Sequence, residues 1–314
     1  MFQRLLVPLD GSSRAEQALP VAAQLAHATG GSLLLVRVVS PCIDYSGGMS
    51  PVPLASEQID EQELAAATAY LRSLAASQQC ADIDTCIEVR YGLPVQQLLA
   101  CAQAPGIDLV VLCSHGRSGF ARRVLGSVAH ALVHQCTRPL LVLRQNRVFS
   151  VRAGPLRTLV PLDGSPLAEA ALSPAAVLTS ALAAPGQGAL HLSQVVKIFP
   201  TSADEGFISE LNEEARQRAE TYVHQVQLRL LPQATDLQIS LTHEVAYASD
   251  VAGTLRNLAE HREQPHTAGG PCDLIAISTH GRAGLERWIM GSVTQRLLNA
   301  TTLPMLIVRP SDKG

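Results

Sequence analysis

The chain has 314 residues, of which 47% are hydrophobic and 16% charged, with a formal net charge of −3. That charge supplies no electrostatic basis for binding nucleic acid, and no apolar run approaches the roughly 20 residues a membrane span needs. The length sets an expectation of two domains. Seven cysteines (Cys42, Cys80, Cys86, Cys101, Cys113, Cys136 and Cys272) include no CxxC pair, which argues against a disulfide framework or zinc knuckle and for reduced thiols in a cytoplasmic setting. The start, Met1 to Leu5, runs into a strand pattern and lacks the layout of a signal peptide.

Residues 3–10 read as a short buried strand ending in Asp10, followed by Gly11-Ser12-Ser13. Ser12 or Ser13 is the expected N-cap of one helix running to about His27, stopped by Gly30-Gly31. Ser32 to Val39 is apolar without alternation, the mark of a parallel strand covered on both faces. A loop rich in Pro, Gly and Ser, 40–53, precedes a helix expected from about Ser56 to Gln79. Asp84–Tyr91 reads as a third strand, Val95–Gln103 as a helix, Asp108–Ser114 as a fourth strand, Gly126–Gln135 as a helix and Pro139–Arg144 as a fifth strand. Strands alternating with helices imply a doubly wound sheet of right-handed βαβ units.

After a polar linker, 147–156, the pattern restarts. Thr158-Leu-Val-Pro-Leu-Asp163-Gly164-Ser165 repeats the stretch Leu5 to Ser12 at an offset of 153, and the final strands repeat at an offset of 165. The difference of 12 residues lies mostly after the third strand, with the polar run His261–Pro271 as its expected site. The organisation is therefore a duplication, with domains at 1–146 and 157–314.

Each half carries the same glycine-bearing stretch after its fourth strand. Ser114-His115-Gly116-Arg117 leads, with nine residues between Gly116 and the next glycine, to Gly126-Ser127-Val128; Thr279-His280-Gly281-Arg282 leads likewise to Gly291-Ser292-Val293. Glycines at a strand-to-helix junction let backbone N–H groups approach a ligand, and a helix start offers unpaired donors and a positive dipole end to an anion. In a doubly wound sheet the ligand lies beyond the carboxyl ends of the strands where their order reverses. If strands 1 and 4 are neighbours there, Asp10 and Asp163 face the glycine loops across one crevice each. A carboxylate for ribose or base donors opposite amides for phosphates suits a nucleotide.

These motifs resemble the universal stress protein family in its tandem two-domain form, over nearly the whole chain. The family's strand-1 aspartate corresponds to Asp10 and Asp163, and its nucleotide signature falls on Gly116, Gly126 and Ser127 and on Gly281, Gly291 and Ser292. The resemblance implies two parallel five-stranded sheets ordered 3-2-1-4-5, paired through their fifth strands as an intrachain pseudo-dimer, with homodimerisation of chains as a further possibility. It implies ATP as ligand, with Mg²⁺, and Val38 and Val195 as adenine-side contacts; read from the residues alone, these two are core valines. The first glycine of the signature is replaced by Cys113 and Ser278, which puts ATP binding in question and leaves a nucleotide-free interaction module as the alternative, with a slow nucleotide-processing enzyme as a third. Arg14 and Ser13 are matched by Leu167 and Pro166, so the first domain is expected to bind nucleotide more tightly.

Other candidates divide between chemistry and packing. Arg117 and Arg282 are placed either to grip phosphate or to stand on the surface. His115 and His280 read as packing or hydrogen-bonding residues rather than general bases, and His130 and His134 as a solvated helix face rather than metal ligands. Walker A, GxGxxG after strand 1 and GxSxG are all missing, which excludes a P-loop hydrolase, a dinucleotide fold and an α/β-hydrolase.

Overall fold

The computed structural model describes residues 1–41, 61–114, 125–144, 154–197, 205–260, 270–279 and 290–310, with side chains from 210 onward in the segment that begins at 205. The first half comprises β1 (Arg4–Pro8), α1 (Ser13–Glu16), α2 (Ala18–Thr29), β2 (Ser32–Val39), α3 (Glu61–Ala75), β3 (Thr85–Tyr91), α4 (Pro94–Gln103), β4 (Leu109–Cys113), α5 (Ser127–Gln135) and β5 (Leu140–Leu143). The second comprises β6 (Leu156–Leu162), α6 (Pro166–Glu169), α7 (Leu172–Ala183), β7 (Gly188–Val196), α8 (Glu205–Asp236), β8 (Ile239–Tyr247), α9 (Val251–Glu260), β9 (Leu274–Ser278), α10 (Ser292–Ala300) and β10 (Met305–Val308).

One local difference from the sequence reading has a plain cause. The helix expected from Ser12 or Ser13 to His27 is two helices, broken at Gln17, and α6 and α7 repeat the break. Pro20 and Pro174 each fall in the first turn of the second segment, where a residue without an N–H is tolerated because that donor has no intrahelical partner. The extra length of the second half falls mostly after its third strand, as the offsets of the repeats require. Val39 and Val196, closing β2 and β7, stand 157 apart, so part of it already lies between α7 and β7; most of the rest falls between α9 and β9.

Of the nine strand pairings among the described residues, eight are parallel and lie within one half, and the ninth, between β5 and β10, is antiparallel and joins the halves. The order is β3-β2-β1-β4-β5-β10-β9-β6-β7-β8 in a single ten-stranded sheet. Each half has the expected order 3-2-1-4-5, and the two five-stranded sheets join through their fifth strands, where Leu141 of β5 lies opposite Leu306 of β10. Pairing the two short last strands removes two exposed edges.

Helices cover both faces. One apolar layer joins the sheet to α2, α3, α7 and α8 across both halves; the other joins it to α4, α5, α9 and α10. Arginines at the ends of β5 and β10 tie the halves together reciprocally. Arg144 Nη2 donates to Leu298 O near the end of α10, and Arg309 Nη2 donates to His134 O near the end of α5, at 2.5 Å. Each satisfies a carbonyl that the last turn of a helix leaves without an intrahelical donor. His134 is thus part of the domain contact rather than a solvated face. Pro166–Ala183 has the length and hydropathy of a span, contrary to expectation, but 56% of it is buried in the protein and it is split between α6 and α7.

Candidate functional site

β1 and β4 are adjacent and parallel, with Leu5 opposite Leu109. Asp108, just before β4, accepts from the N–H groups of Gln3 and Arg4 at 2.7 and 3.3 Å, fixing the register of the two strands whose far ends form the crevice. Beyond those ends the chain turns sharply. Gly11 has φ 84° and Gly164 φ 85°, conformations that a side chain would strain.

The turn is built by the aspartate. Asp10 Oδ1 accepts from Ser12 N at 2.9 Å and Ser12 Oγ at 2.6 Å, while Ser12 Oγ accepts from Ala15 N at 3.2 Å. Asp163, Ser165 and Ala168 reproduce the three distances. Ser12, not Ser13, is therefore the cap, and the carboxylate, the turn and the helix start form one unit.

Across the crevice, the helix starts are pinned to the ends of β4 and β9. Gly126 N donates to Ser114 O at 2.7 Å and Gly291 N to Thr279 O at 2.8 Å. Gly126 and Gly291 are the N-caps and provide no side-chain cap, so the first-turn N–H groups of Ser127, Val128, Ser292 and Val293 carry the positive end of each helix. A Cβ on Gly291 would sit 3.3 Å from Thr279 O, so the bare Cα permits the close approach. Thr294 Oγ1 adds a bond to Ser278 O at 2.9 Å.

Asp10 lies beside the end of β4. The Cys113 thiol is pushed up to about 12, first by burial and then by the negative charge of Asp10. Val38 and Val128 in the first half, and Val195 and Val293 in the second, pack on the same apolar layer, so β2 and α5 flank one side of the crevice. The candidates His115, Gly116, Arg117, His280, Gly281 and Arg282 lie outside the described residues.

Sequence reasoning missed a tyrosine on the opposite flank. Tyr70 of α3 donates to Glu16 Oε1 at 2.9 Å, with the Arg37 guanidinium 5.0 Å from its ring centre. Burial, the bond to Glu16 and the charges of Glu16 and Asp10 all raise its pKa, so it remains a donor. Tyr222 bonds Glu169 at 3.0 Å in the same way, but Arg229 of α8 supplies the positive charge, 2.9 Å from the carboxylate. With so few aromatics, the pair Tyr70 and Tyr222 at an offset of 152 is a signal that comparing the two repeats can find.

The universal stress protein family model matches residues 1–144 and again 156–309. The chain belongs to the universal stress protein family. A universal stress protein of Mycolicibacterium smegmatis is 23% identical over 98% of this chain and 97% of its own length, and YxiE of Bacillus subtilis is 30% identical over 46% of this chain and all of its own. A solved universal stress protein from Archaeoglobus fulgidus is similar over 99% of this chain and 100% of its own, with a TM-score of 0.65 at 18% identity. A solved putative universal stress protein from Pseudomonas aeruginosa gives 0.67 at 16%, covering 99% and 94%. At those identities the likeness of the solved structures is one of fold. Family membership makes this a stress-response protein of tandem architecture.

Proposed function

We propose that the protein binds ATP, with Mg²⁺, in the crevice between β1 and β4 of the first domain and the matching crevice between β6 and β9, and acts through ligand-dependent interaction with other molecules rather than turnover. Asp10 and Asp163 would accept from ribose or base donors, and the first-turn amides of α5 and α10, with the hydroxyls of Ser127 and Ser292, would take the phosphates. Mg²⁺ would offset the phosphate charge. Hydrolysis, on this reading, is slow at most.

The observation that carries the proposal is the joining of both halves of the crevice to one strand. Asp10 is close enough to the end of β4 to act on the Cys113 thiol, and Gly126 is hydrogen-bonded to the next residue, Ser114, at 2.7 Å. The six cysteines among the described residues are unbridged, which fits the proposed cytoplasmic setting.

Mass spectrometry of freshly purified, denatured protein tests the reading, followed by calorimetric titration with ATP and Mg²⁺. Co-purified or titratable ATP supports it. An empty protein that ignores added ATP favours the second reading, a nucleotide-free interaction module, for which Cys113 and Ser278 in place of the family's first glycine are the specific observation. Turnover well above a slow background would instead make the protein an enzyme.

A further inference from the structure

The two halves differ on the face of the sheet that α4 and α9 cover. In the first half β2 presents Leu34 and Val36 to that layer, both buried, and nearby Glu88 of β3 is held by Arg90 at 2.7 Å. In the second half those two positions of β7 are His191 and Ser193, which remain buried at 5% and 0% exposure. Glu244 of β8 lies opposite Ser193 in register, and Ala246 stands where the first half has Arg90. Two aliphatic groups have become polar and an arginine has gone. Such burial destabilises the fold unless the polar atoms are satisfied.

The bonds that are made orient the imidazole. His191 Nδ1 lies 2.9 Å from Thr242 Oγ1, and that hydroxyl donates to Leu190 O at 3.5 Å. A hydroxyl that has given its proton to a carbonyl accepts from Nδ1–H, which turns Nε2 toward β8. Nε2 in turn lies 3.4 Å from Glu244 Oε2. Among the described residues that buried carboxylate oxygen accepts no hydrogen bond, and neither does Ser193 Oγ on the same face engage in one. Nε2 and the carboxylate thus face each other across a gap that takes either a proton or a cation, and its width tells the two apart. A proton held between imidazole and carboxylate draws N and O to about 2.7–2.9 Å. Tetrahedral zinc, with nitrogen and oxygen ligands at about 2.0–2.2 Å, sets them about 3.3–3.5 Å apart.

We propose that His191, Glu244 and Ser193 form a binding site for one divalent transition-metal ion, zinc being the expected occupant. His191 Nε2 and Glu244 Oε2 are its ligands, and Ser193 Oγ and water complete four positions. Thr242 holds the ring from behind, the usual arrangement for a metal-binding histidine. An imidazole with a carboxylate selects zinc-like ions over calcium or magnesium, which prefer oxygen alone. No cluster of three or more His, Cys, Asp or Glu occurs among the described residues; here the third protein ligand is a hydroxyl. The Glu244 side chain is 21% exposed, which leaves an entry path. The first half, with leucine, valine and an arginine-paired glutamate at these places, has no equivalent of this site, which takes its ion irrespective of any nucleotide.

The test is calorimetric titration of metal-free, full-length protein with zinc chloride, beside His191→Leu and Ser193→Val, which install the first half's residues, and Glu244→Gln. Ten histidines and seven cysteines provide a background, so the difference between proteins is the readout. One equivalent present in the natural protein and weakened at least tenfold in His191→Leu and Glu244→Gln is expected. Thr242→Val should keep the equivalent but bind it about 10- to 100-fold more weakly, and zinc should raise the thermal midpoint of the natural protein but not of His191→Leu. Identical zinc isotherms for the natural protein and His191→Leu would overturn the proposal. So would nitrogen NMR of the metal-free protein near pH 7 with both ring nitrogens of His191 protonated, since Nε2–H would then simply donate to Glu244. If His191→Leu does not fold, Thr242→Val and the NMR measurement still decide.

Discussion

Replacing Asp10 by asparagine separates the two tasks given to its carboxylate. Asparagine retains an Oδ1 able to accept from Ser12 N and Ser12 Oγ, now at 2.9 and 2.6 Å, so the turn and the cap on α1 persist. Only charge is lost. Hydrogen bonds to charged groups contribute about 1.5–3 kcal/mol and neutral ones about 0.5–1.5, so the bond to a ribose or base donor weakens by about 1–1.5 kcal/mol. That is about a 5- to 13-fold rise in Kd. Asp10→Ala removes the ligand bond entirely, a loss of about 1.5–3 kcal/mol or roughly 10- to 150-fold, and also both turn bonds. Calorimetric titration with ATP and Mg²⁺ should rank natural protein, Asp10→Asn and Asp10→Ala in falling affinity, while urea unfolding should find Asp10→Asn much closer to the natural protein than Asp10→Ala. Unchanged ATP affinity in Asp10→Ala, with a folded protein, would refute the role of this carboxylate. A larger loss from Asp163→Ala than from Asp10→Ala would refute the assignment of the tighter site to the first domain.

Further predictions concern stability. Leu141→Ala, at a fully buried position of the central antiparallel pair, should cost about 2–5 kcal/mol; because both apolar layers cross the domain contact, unfolding in urea should stay a single transition, and two separated transitions would contradict that coupling. Arg309→Met leaves His134 O without its donor and should lower stability by about 1.5–3 kcal/mol, read from the urea midpoint, with Arg144→Met acting alike at the related place. The thiols of Cys113 and Cys272 are both pushed up to about 12, chiefly by burial, from an ordinary value of 9.0. The native state therefore holds these protons more tightly than the unfolded chain, and their contribution, complete below pH 9, declines as pH rises toward 12. Cys272→Ala should flatten the alkaline limb of stability against pH, and an unchanged limb would count against the burial argument. Gly11→Ala, at φ 84°, should cost about 1–2 kcal/mol by thermal unfolding.

Much of the site was legible because its chemistry is local. Asp10, Gly11 and Ser12 lie within three residues, and their turn depends on one carboxylate, one bare Cα and one hydroxyl; Gly126-Ser127 and Gly291-Ser292 announce helix starts in the same way. The Tyr70–Glu16 and Tyr222–Glu169 pairs span 54 and 53 residues, and no periodicity within a helix reveals which distant carboxylate a tyrosine meets. The break at Gln17 escaped notice because the apolar pattern runs through it, although Pro20 marks it.

The order of residues by itself determined the duplication, the alternation of strand and helix, and the two aspartates and glycine-led helix starts, since each rests on neighbours along the chain. Tertiary structure decided the antiparallel register in which β5 meets β10, because those edges only meet when both domains are folded. It also decided that Ser193 Oγ and Glu244 Oε2, harmless as letters in two β-strands, lie without hydrogen bonds from the described residues beside the buried His191. Side-chain partnership across strands is a matter of register and burial, and neither is written in any one segment of sequence.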